Sequence, residues 1–176
     1  MIFILGGSGL VGSAFVRYCK KRKLKYVNLT RDNKKKYHNK KCEIFIDCNG
    51  NGSKRLGIQN PYYDFQASVS TVVDNLFNYK YNKYIYISSS QVYENTSLLK
   101  CTKEEKSKLN LNLNSYGFNK LVSENFIIKH AKKHLIFRLP YVVGPGLKRN
   151  PVFDLSNSKK TYLSLDSLIN CVHTDT

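Results

Sequence analysis

Two residues four apart on one helical turn, Tyr116 and Lys120, are the chain's best candidates for proton chemistry. Their spacing puts both side chains on one helix face. A phenol has an ordinary pKa of about 10 and is a poor base at neutral pH. A nearby ammonium lowers that value, so the phenol can take a proton from a substrate oxygen or return one. A hydroxyl that holds the same oxygen is the natural companion, and Ser88, Ser89 and Ser90 stand upstream at the end of an apolar run, Tyr84-Ile-Tyr-Ile87. At the N-terminus, Gly6, Gly9 and Gly12 follow the apolar residues Ile2 to Leu5 in a G-x-x-G-x-x-G arrangement. Leu10, Val11, Ala14, Phe15 and Tyr18 then recur at helical spacing, so a helix opens inside the glycine run. Strand, glycine turn and helix N-terminus make a diphosphate cradle: backbone N–H groups and the helix dipole face the anion, and glycines let it approach. The expected dinucleotide contacts are Gly6, Gly9, Leu10, Val11 and Gly12.

The elements that must position these groups alternate along the chain. A first helix over roughly Leu10 to Lys23 leads to a strand at Tyr26 to Thr30. About ten polar and basic residues separate it from the next strand, Cys42 to Asp47. That gap is too short for a crossover helix, a strand and a second helix, so the usual third strand is expected to be missing or reduced. The glycine-rich stretch Asn49 to Ser53 sits at a strand's carboxyl end, which places Asn49 beside a bound cofactor. Asn60-Pro61 starts a helix, with Phe65, Val69, Val72, Val73, Leu76 and Phe77 as its apolar stripe. The polar stretch Glu94 to Asn114 reads as a mobile loop over the site, with a short helix after Thr102. A helix over Tyr116 to Lys133, with Val122, Phe126, Ile127 and Ala131 inward, and a strand at Leu135 to Leu139 complete the pattern. The fold class is α/β: a Rossmann-like, doubly wound parallel sheet, shortened after its second strand.

Thr30 and Arg31 end the second strand, where an acidic residue would hold the adenosine ribose of NAD. Arg31 could instead pair with a 2′-phosphate, which favours NADP; Asp32 is the rival ribose ligand if the register shifts by one.

With these motifs in order, the chain resembles the extended short-chain dehydrogenase/reductase group, the NAD(P)-dependent nucleotide-sugar epimerases, dehydratases and reductases. Gly6-Gly-Ser-Gly-Leu-Val-Gly12 is similar to that group's cofactor turn, and Ile87-Ser-Ser-Ser-Gln-Val-Tyr93 to its serine strand. Tyr116-Gly-Phe-Asn-Lys120 with Glu124 resembles its catalytic helix. Arg138-Leu-Pro-Tyr-Val-Val-Gly-Pro-Gly146 and Asn170-Cys-Val-His-Thr-Asp175 resemble later segments. The resemblance implies Ser89 as the catalytic hydroxyl, Tyr116 as the acid/base, and Lys120 as the group that binds the ribose and lowers the phenol's pKa. It places Pro140 near the nicotinamide and Tyr141 near the substrate, with Ser90 and Gln91 on the substrate side.

Dehydratases of the group carry an acidic pair where this chain has Ser90 and Gln91, so epimerisation or carbonyl reduction is expected rather than dehydration. Tyr141 replaces a frequent asparagine, and the chain stops where the group continues into most of its nucleotide-sugar region. Residues 1–145 are expected to form the NAD(P)-binding domain and 146–176 the start of an incomplete substrate region. The rival reading is a non-catalytic NAD(P)-binding sensor or scaffold that keeps the fold. The resemblance also suggests a homodimer.

Composition sets the remaining bounds. No apolar run approaches the ~20 residues a membrane span needs. The five cysteines are scattered, with no C-x-x-C pair or His/Cys spacing for zinc; reduced thiols and a cytoplasmic setting, without a metal, are expected. The net charge of +17 suits nucleic acid or an anionic membrane surface. Yet lysine supplies most of it, beside abundant asparagine and tyrosine, as an AT-rich coding sequence would. A solvated surface is the expectation, some attraction of anionic substrates is secondary, and neither nucleic acid nor a membrane is expected as partner.

Overall fold

In a computed structural model, which describes residues 1–95, 111–161, 163–164 and 166–175, five parallel strands form one sheet. They are β1 (Ile2–Leu5), β2 (Tyr26–Leu29), β3 (Lys41–Asp47), β4 (Lys80–Ser89) and β5 (His134–Leu139), in the order β2-β1-β3-β4-β5. This is the doubly wound order 3-2-1-4-5-6 without its outermost strand. The shortening expected from the gap before β3 is therefore real, and a single 3₁₀ turn, Lys34–Tyr37, bridges it. β1 pairs with β2 on one side and β3 on the other, so the strand order reverses between β1 and β3. That reversal opens a crevice at their carboxyl ends.

Alternation along the strands builds two cores. Phe3, Leu5, Phe45, Tyr84 and Tyr86 point to the side covered by α4 (Thr71–Asn78) and α5 (Ser115–His130), against Val72, Leu76, Ile127 and Ala131. Ile4 and Ile46 point to the other side, against Phe15, Val16 and Cys19 of α1 (Leu10–Lys21). Leu135 and Phe137 share that second face of β5 and are more than a third exposed.

Two short helices, α2 (Lys54–Gln59) and α3 (Pro61–Phe65), precede α4, joined to it through a π-helical turn, Gln66–Ser70. The extra residue of such a turn rotates the helix beyond it. It corrects the expected apolar stripe: Val69, Val72 and Leu76 are buried, but Phe65 and Phe77 are exposed. α2 had no sequence signal beyond Ser53, whose hydroxyl caps it by accepting the Leu56 N–H at 3.3 Å. Beyond β5, β6 (Tyr141–Val143) and β7 (Cys171–His173) pair in parallel as a separate small sheet, with α6 (Pro151–Ser156) between them. Asp175, just after β7, binds Arg17 of α1 at 2.5 Å and ties that sheet to the first helix. Most of the expected loop over the site, including the helix after Thr102, lies outside the described residues. No helix among the described residues is long and apolar enough to cross a membrane.

Candidate active site

The glycine turn is shaped by backbone contacts no side chain could share. Gly6 takes φ +79°, and a Cβ there would stand 2.9 Å from the Cys48 carbonyl group. A Cβ on Gly12 would stand 2.1 Å from the Gly6 oxygen, so only glycine lets α1 begin this close to β1. α1 opens on Gly9 with no side-chain cap, leaving the N–H groups of Leu10 and Val11 at an open helix terminus. Such a terminus, behind a cradle a Cβ would fill, fits a dinucleotide's diphosphate. Thr30 follows β2 and its N–H donates to Asn33 Oδ1 at 2.8 Å; Arg31 and Asp32 are both exposed in that turn.

The second half of the site forms where β3 and β4 end. Asp47 closes β3, fully buried, and accepts from the Tyr84 hydroxyl at 2.6 Å, Asn75 Nδ2 at 2.9 Å and the Asn49 N–H at 3.0 Å. Burial pushes its carboxyl above the usual range, while these hydrogen bonds and the Lys120 ammonium pull the other way. Lys120 is 5 % exposed; its Nζ donates to the Tyr86 hydroxyl at 3.3 Å and the Ile87 carbonyl at 3.5 Å, and lies over the Tyr86 ring. Gly50 passes so close that a Cβ there would meet this Nζ at 3.2 Å and the Ser68 hydroxyl at 3.6 Å. The Ser68 hydroxyl, on the π-helical turn, is buried without a partner among the described residues. An ammonium and an unspent hydroxyl on either side of Gly50 fit a polyhydroxyl group such as a ribose.

α5 delivers Tyr116 and Lys120 together. Asn114 caps it by accepting the Gly117 N–H at 3.1 Å. Its first turn is pressed onto the 3₁₀ turn Ser90–Val92, because a Cβ on Gly117 would lie 2.2 Å from the Gln91 carbonyl oxygen. On the other flank Gly57 of α2 lets the Tyr116 Cβ approach, and the Ser115 hydroxyl donates to the Gly57 carbonyl at 2.8 Å. Buried Asp64 joins the loop after β3 to α5, accepting from Asn51 at 2.8 Å and Asn119 at 2.7 Å.

Of the three serines, Ser89 ends β4 and its hydroxyl accepts the Gln91 N–H at 3.2 Å, starting the 3₁₀ turn. Ser88 points the other way, donating to Glu124 at 2.5 Å. Glu124 is itself fully buried and paired with Arg138 through three hydrogen bonds, the shortest 2.6 Å. Arg138 also donates to the Tyr93 hydroxyl at 3.1 Å. Burial opposes the guanidinium's charge, but its bonds to Glu124 and Tyr93 outweigh that and raise its pKa. This cluster locks β4, α5 and β5 together behind Ser89.

The structure therefore brings Ser89, Tyr116 and Lys120 to the carboxyl ends of β4 and α5's first turns, and the glycine cradle with Asn49 to those of β1 and β3. Pro140 and Tyr141 follow β5 directly, with Tyr141 at 37 % exposure. Gln91 lines a polar cavity of about 210 Å³ with Lys54, Tyr93, Glu94 and residues 112–114, beside the 3₁₀ turn. Asp47, Tyr86, Ser68 and Gly117 had no assigned role in the sequence. Asp47 carried one usable signal, a carboxylate closing an otherwise apolar strand. No cluster of His, Cys, Asp or Glu among the described residues could hold a metal ion.

No curated protein matches the chain. Among solved structures, UDP-galactose 4-epimerase is 20% identical with a TM-score of 0.71, over 89% of this chain and 61% of that one. UDP-glucuronic acid 4-epimerase from Bacillus cereus, in complex with UDP-glucuronic acid and NAD, is 14% identical with a TM-score of 0.69, over 99% and 69%. dTDP-4-dehydrorhamnose reductase from Yersinia enterocolitica is 18% identical with a TM-score of 0.65, over 89% and 58%. At these identities the likeness is one of fold, and this chain spans about six tenths of the first neighbour's length. A sequence model of the NAD dependent epimerase/dehydratase family matches residues 2–160, so the chain belongs to that family.

Proposed function

We propose that this chain carries the cofactor and acid/base site of an NAD(P)-dependent oxidoreductase or epimerase acting on a nucleotide-linked sugar. The observation that supports this best is the buried Lys120 ammonium, held at the Tyr86 hydroxyl beside Gly50, one helical turn from Tyr116. When bound, a nicotinamide dinucleotide supplies hydride transfer. Gly6, Gly9, Leu10, Val11 and Gly12 would hold its diphosphate, Thr30 and Arg31 its adenosine end, and Asn49, Lys120 and Pro140 its nicotinamide half. Tyr116 would pass the hydroxyl proton of the reacting sugar carbon, Lys120 would favour the phenolate, and Ser89 would hold the sugar oxygen. Ser90, Gln91 and Tyr141 would face the sugar; with no carboxyl at Ser90 or Gln91, dehydration is disfavoured. Arg31, exposed beyond β2, favours NADP through its charge. Residues 1–145 serve as the cofactor domain in this reading, and 146–176 as the beginning of the substrate region.

Titration with NADPH and NADH, followed by nicotinamide fluorescence, tests it. Tight NADPH binding weakened by Arg31→Ala is expected. Preference for NADH, lost in Asp32→Asn, would reverse the cofactor assignment, and failure of both to bind would end the reading. Given binding, Tyr116→Phe separates enzyme from sensor: turnover of a nucleotide sugar collapses in the first and is irrelevant to the second.

A further inference from the structure

Twelve of the chain's 29 lysines and arginines stand at one end of the fold. In a parallel sheet every strand begins at the same edge, and here those beginnings and the turns leading into them are basic. The last turn of α1 and the turn into β2 carry Lys20, Lys21, Arg22, Lys23 and Lys25, all exposed. Lys40 and Lys41 lead into β3, Lys80 and Lys83 open β4, and Lys129, Lys132 and Lys133 surround the start of β5, all exposed as well. Backbone bonds run between these turns: the Lys25 carbonyl accepts the Ile2 N–H at 2.9 Å, the Lys40 carbonyl the Lys80 N–H at 3.3 Å, and the Lys133 carbonyl the Tyr84 N–H at 2.9 Å. Glu43 is the carboxylate of this edge among the described residues, and it accepts from Asn82 at 2.6 Å.

Helix dipoles explain part of this, since cations are favoured in the last turns of α1 and α5. They do not explain Lys25, Lys40, Lys41, Lys80, Lys83 and Lys132, which lie outside any helix. Nor do these charges serve the candidate active site. The seven residues of β3, at about 3.3 Å each, put roughly 20 Å between this edge and the carboxyl ends. That is more than two screening lengths of about 8 Å at physiological salt.

Three apolar side chains stand on the same end. Leu24, between Lys23 and Lys25, is 42 % exposed, and Met1, at the start of β1, is 50 % exposed. Phe77, in the last turn of α4, is 64 % exposed with its ring against His130 of α5. Point-charge ammoniums around isolated apolar residues suit a bilayer's headgroup region, where lysines meet anionic lipid and apolar tips enter the acyl boundary. A phosphate backbone has no use for Leu24 or Phe77. The arginine of this edge among the described residues, Arg22, lies over the Tyr18 ring, and α1, α2 and α5 begin at the opposite, carboxyl ends of the strands. We propose that the amino-terminal edge of the sheet is a docking face for an anionic lipid bilayer.

The test is co-sedimentation of the whole chain with vesicles of phosphatidylcholine alone and with about 30 mol% phosphatidylserine, at physiological salt. Binding to the serine-containing vesicles only is expected. Each exposed lysine removed from this edge should weaken it about 5-fold, so Lys25→Gln/Lys41→Gln/Lys83→Gln/Lys133→Gln should lose more than about 100-fold. A second set, Lys21→Gln/Lys80→Gln/Lys132→Gln, stands in if the first loses the parent's thermal unfolding. Leu24→Ser should weaken binding without changing its salt dependence, while Lys54→Gln/Arg55→Gln at the carboxyl ends should leave it intact. Absence of binding, equal binding to neutral vesicles, or unchanged binding by both lysine sets would overturn the proposal. So would duplex DNA or RNA binding more tightly than the vesicles.

Discussion

The Lys120 ammonium donates to the Tyr86 hydroxyl across 3.3 Å, inside a site where both side chains are at least nine-tenths buried. Tyr86 is therefore more than a core aromatic. It is the neutral acceptor that lets a cation sit at the end of β4 without a carboxylate in direct contact. Tyr86→Phe keeps the ring and removes the acceptor, leaving the Ile87 carbonyl at 3.5 Å. A hydrogen bond to a charged group contributes about 1.5–3 kcal/mol, so urea unfolding should show a loss in that range. Unchanged stability would mean that the ammonium is satisfied elsewhere.

Gly117 reverses an ordinary rule. Replacing a helical glycine by alanine usually stabilises, by up to about 1 kcal/mol. Here the added methyl would lie 2.2 Å from the Gln91 carbonyl oxygen, backbone that cannot swing aside. Gly117→Ala should instead destabilise by roughly 1–3 kcal/mol, as overpacking does. It should also push the first turn of α5, and Tyr116 with it, away from Ser89. Equilibrium unfolding gives the sign directly.

Asp47 should leave a pH signature. Burial raises its carboxyl in the folded protein above its unfolded value. The folded state therefore holds the proton more tightly, and the associated stability is present at low pH and lost as pH rises through the raised value. Asp47→Asn mimics the protonated form and lacks this dependence. Comparing urea unfolding at about pH 4 and pH 7.5, wild type should lose ground to Asp47→Asn as pH rises. An advantage of wild type that grows with pH would show that Tyr84, Asn75 and Lys120 outweigh desolvation.

The thiols should separate by burial. Cys171 is exposed, while burial pushes the Cys42 thiol up to about 11 and raises those of Cys19 and Cys48 as well. At pH 8 the reactive thiolate of Cys42 is then on the order of one part in a thousand. Brief alkylation of the native protein followed by peptide mass spectrometry should find Cys171 modified and Cys42 unmodified until urea is added.

Removing one partner of the Glu124–Arg138 pair gives a further check on the site's frame. Glu124→Gln takes the carboxylate away from a guanidinium 13 % exposed, which keeps the Tyr93 hydroxyl among its partners, and from the Ser88 hydroxyl. A loss of about 3–5 kcal/mol is expected by urea unfolding, against little change for Asp175→Asn at the exposed Arg17 pair.

Local chemistry was legible in the chain itself. A glycine at Gly6 or Gly12 and four apolar residues before them announce a strand, a turn and a helix, because backbone sterics act between neighbours. The ten-residue gap before β3 likewise dictated a missing strand, since chain length limits what can be crossed. Tyr116 and Lys120 share a face by helical period alone. What joins distant segments had to wait for the tertiary structure. The π-helical turn at Gln66–Ser70 shifted the α4 stripe and aimed Ser68 at Gly50, which no periodicity reveals. Asp47 found Tyr84 and Asn75, and Lys120 found Tyr86, across strands and helices far apart in sequence. The lysine runs looked scattered in one dimension. Parallel strands gathered twelve of the 29 lysines and arginines, because parallel pairing brings every strand's beginning to the same edge.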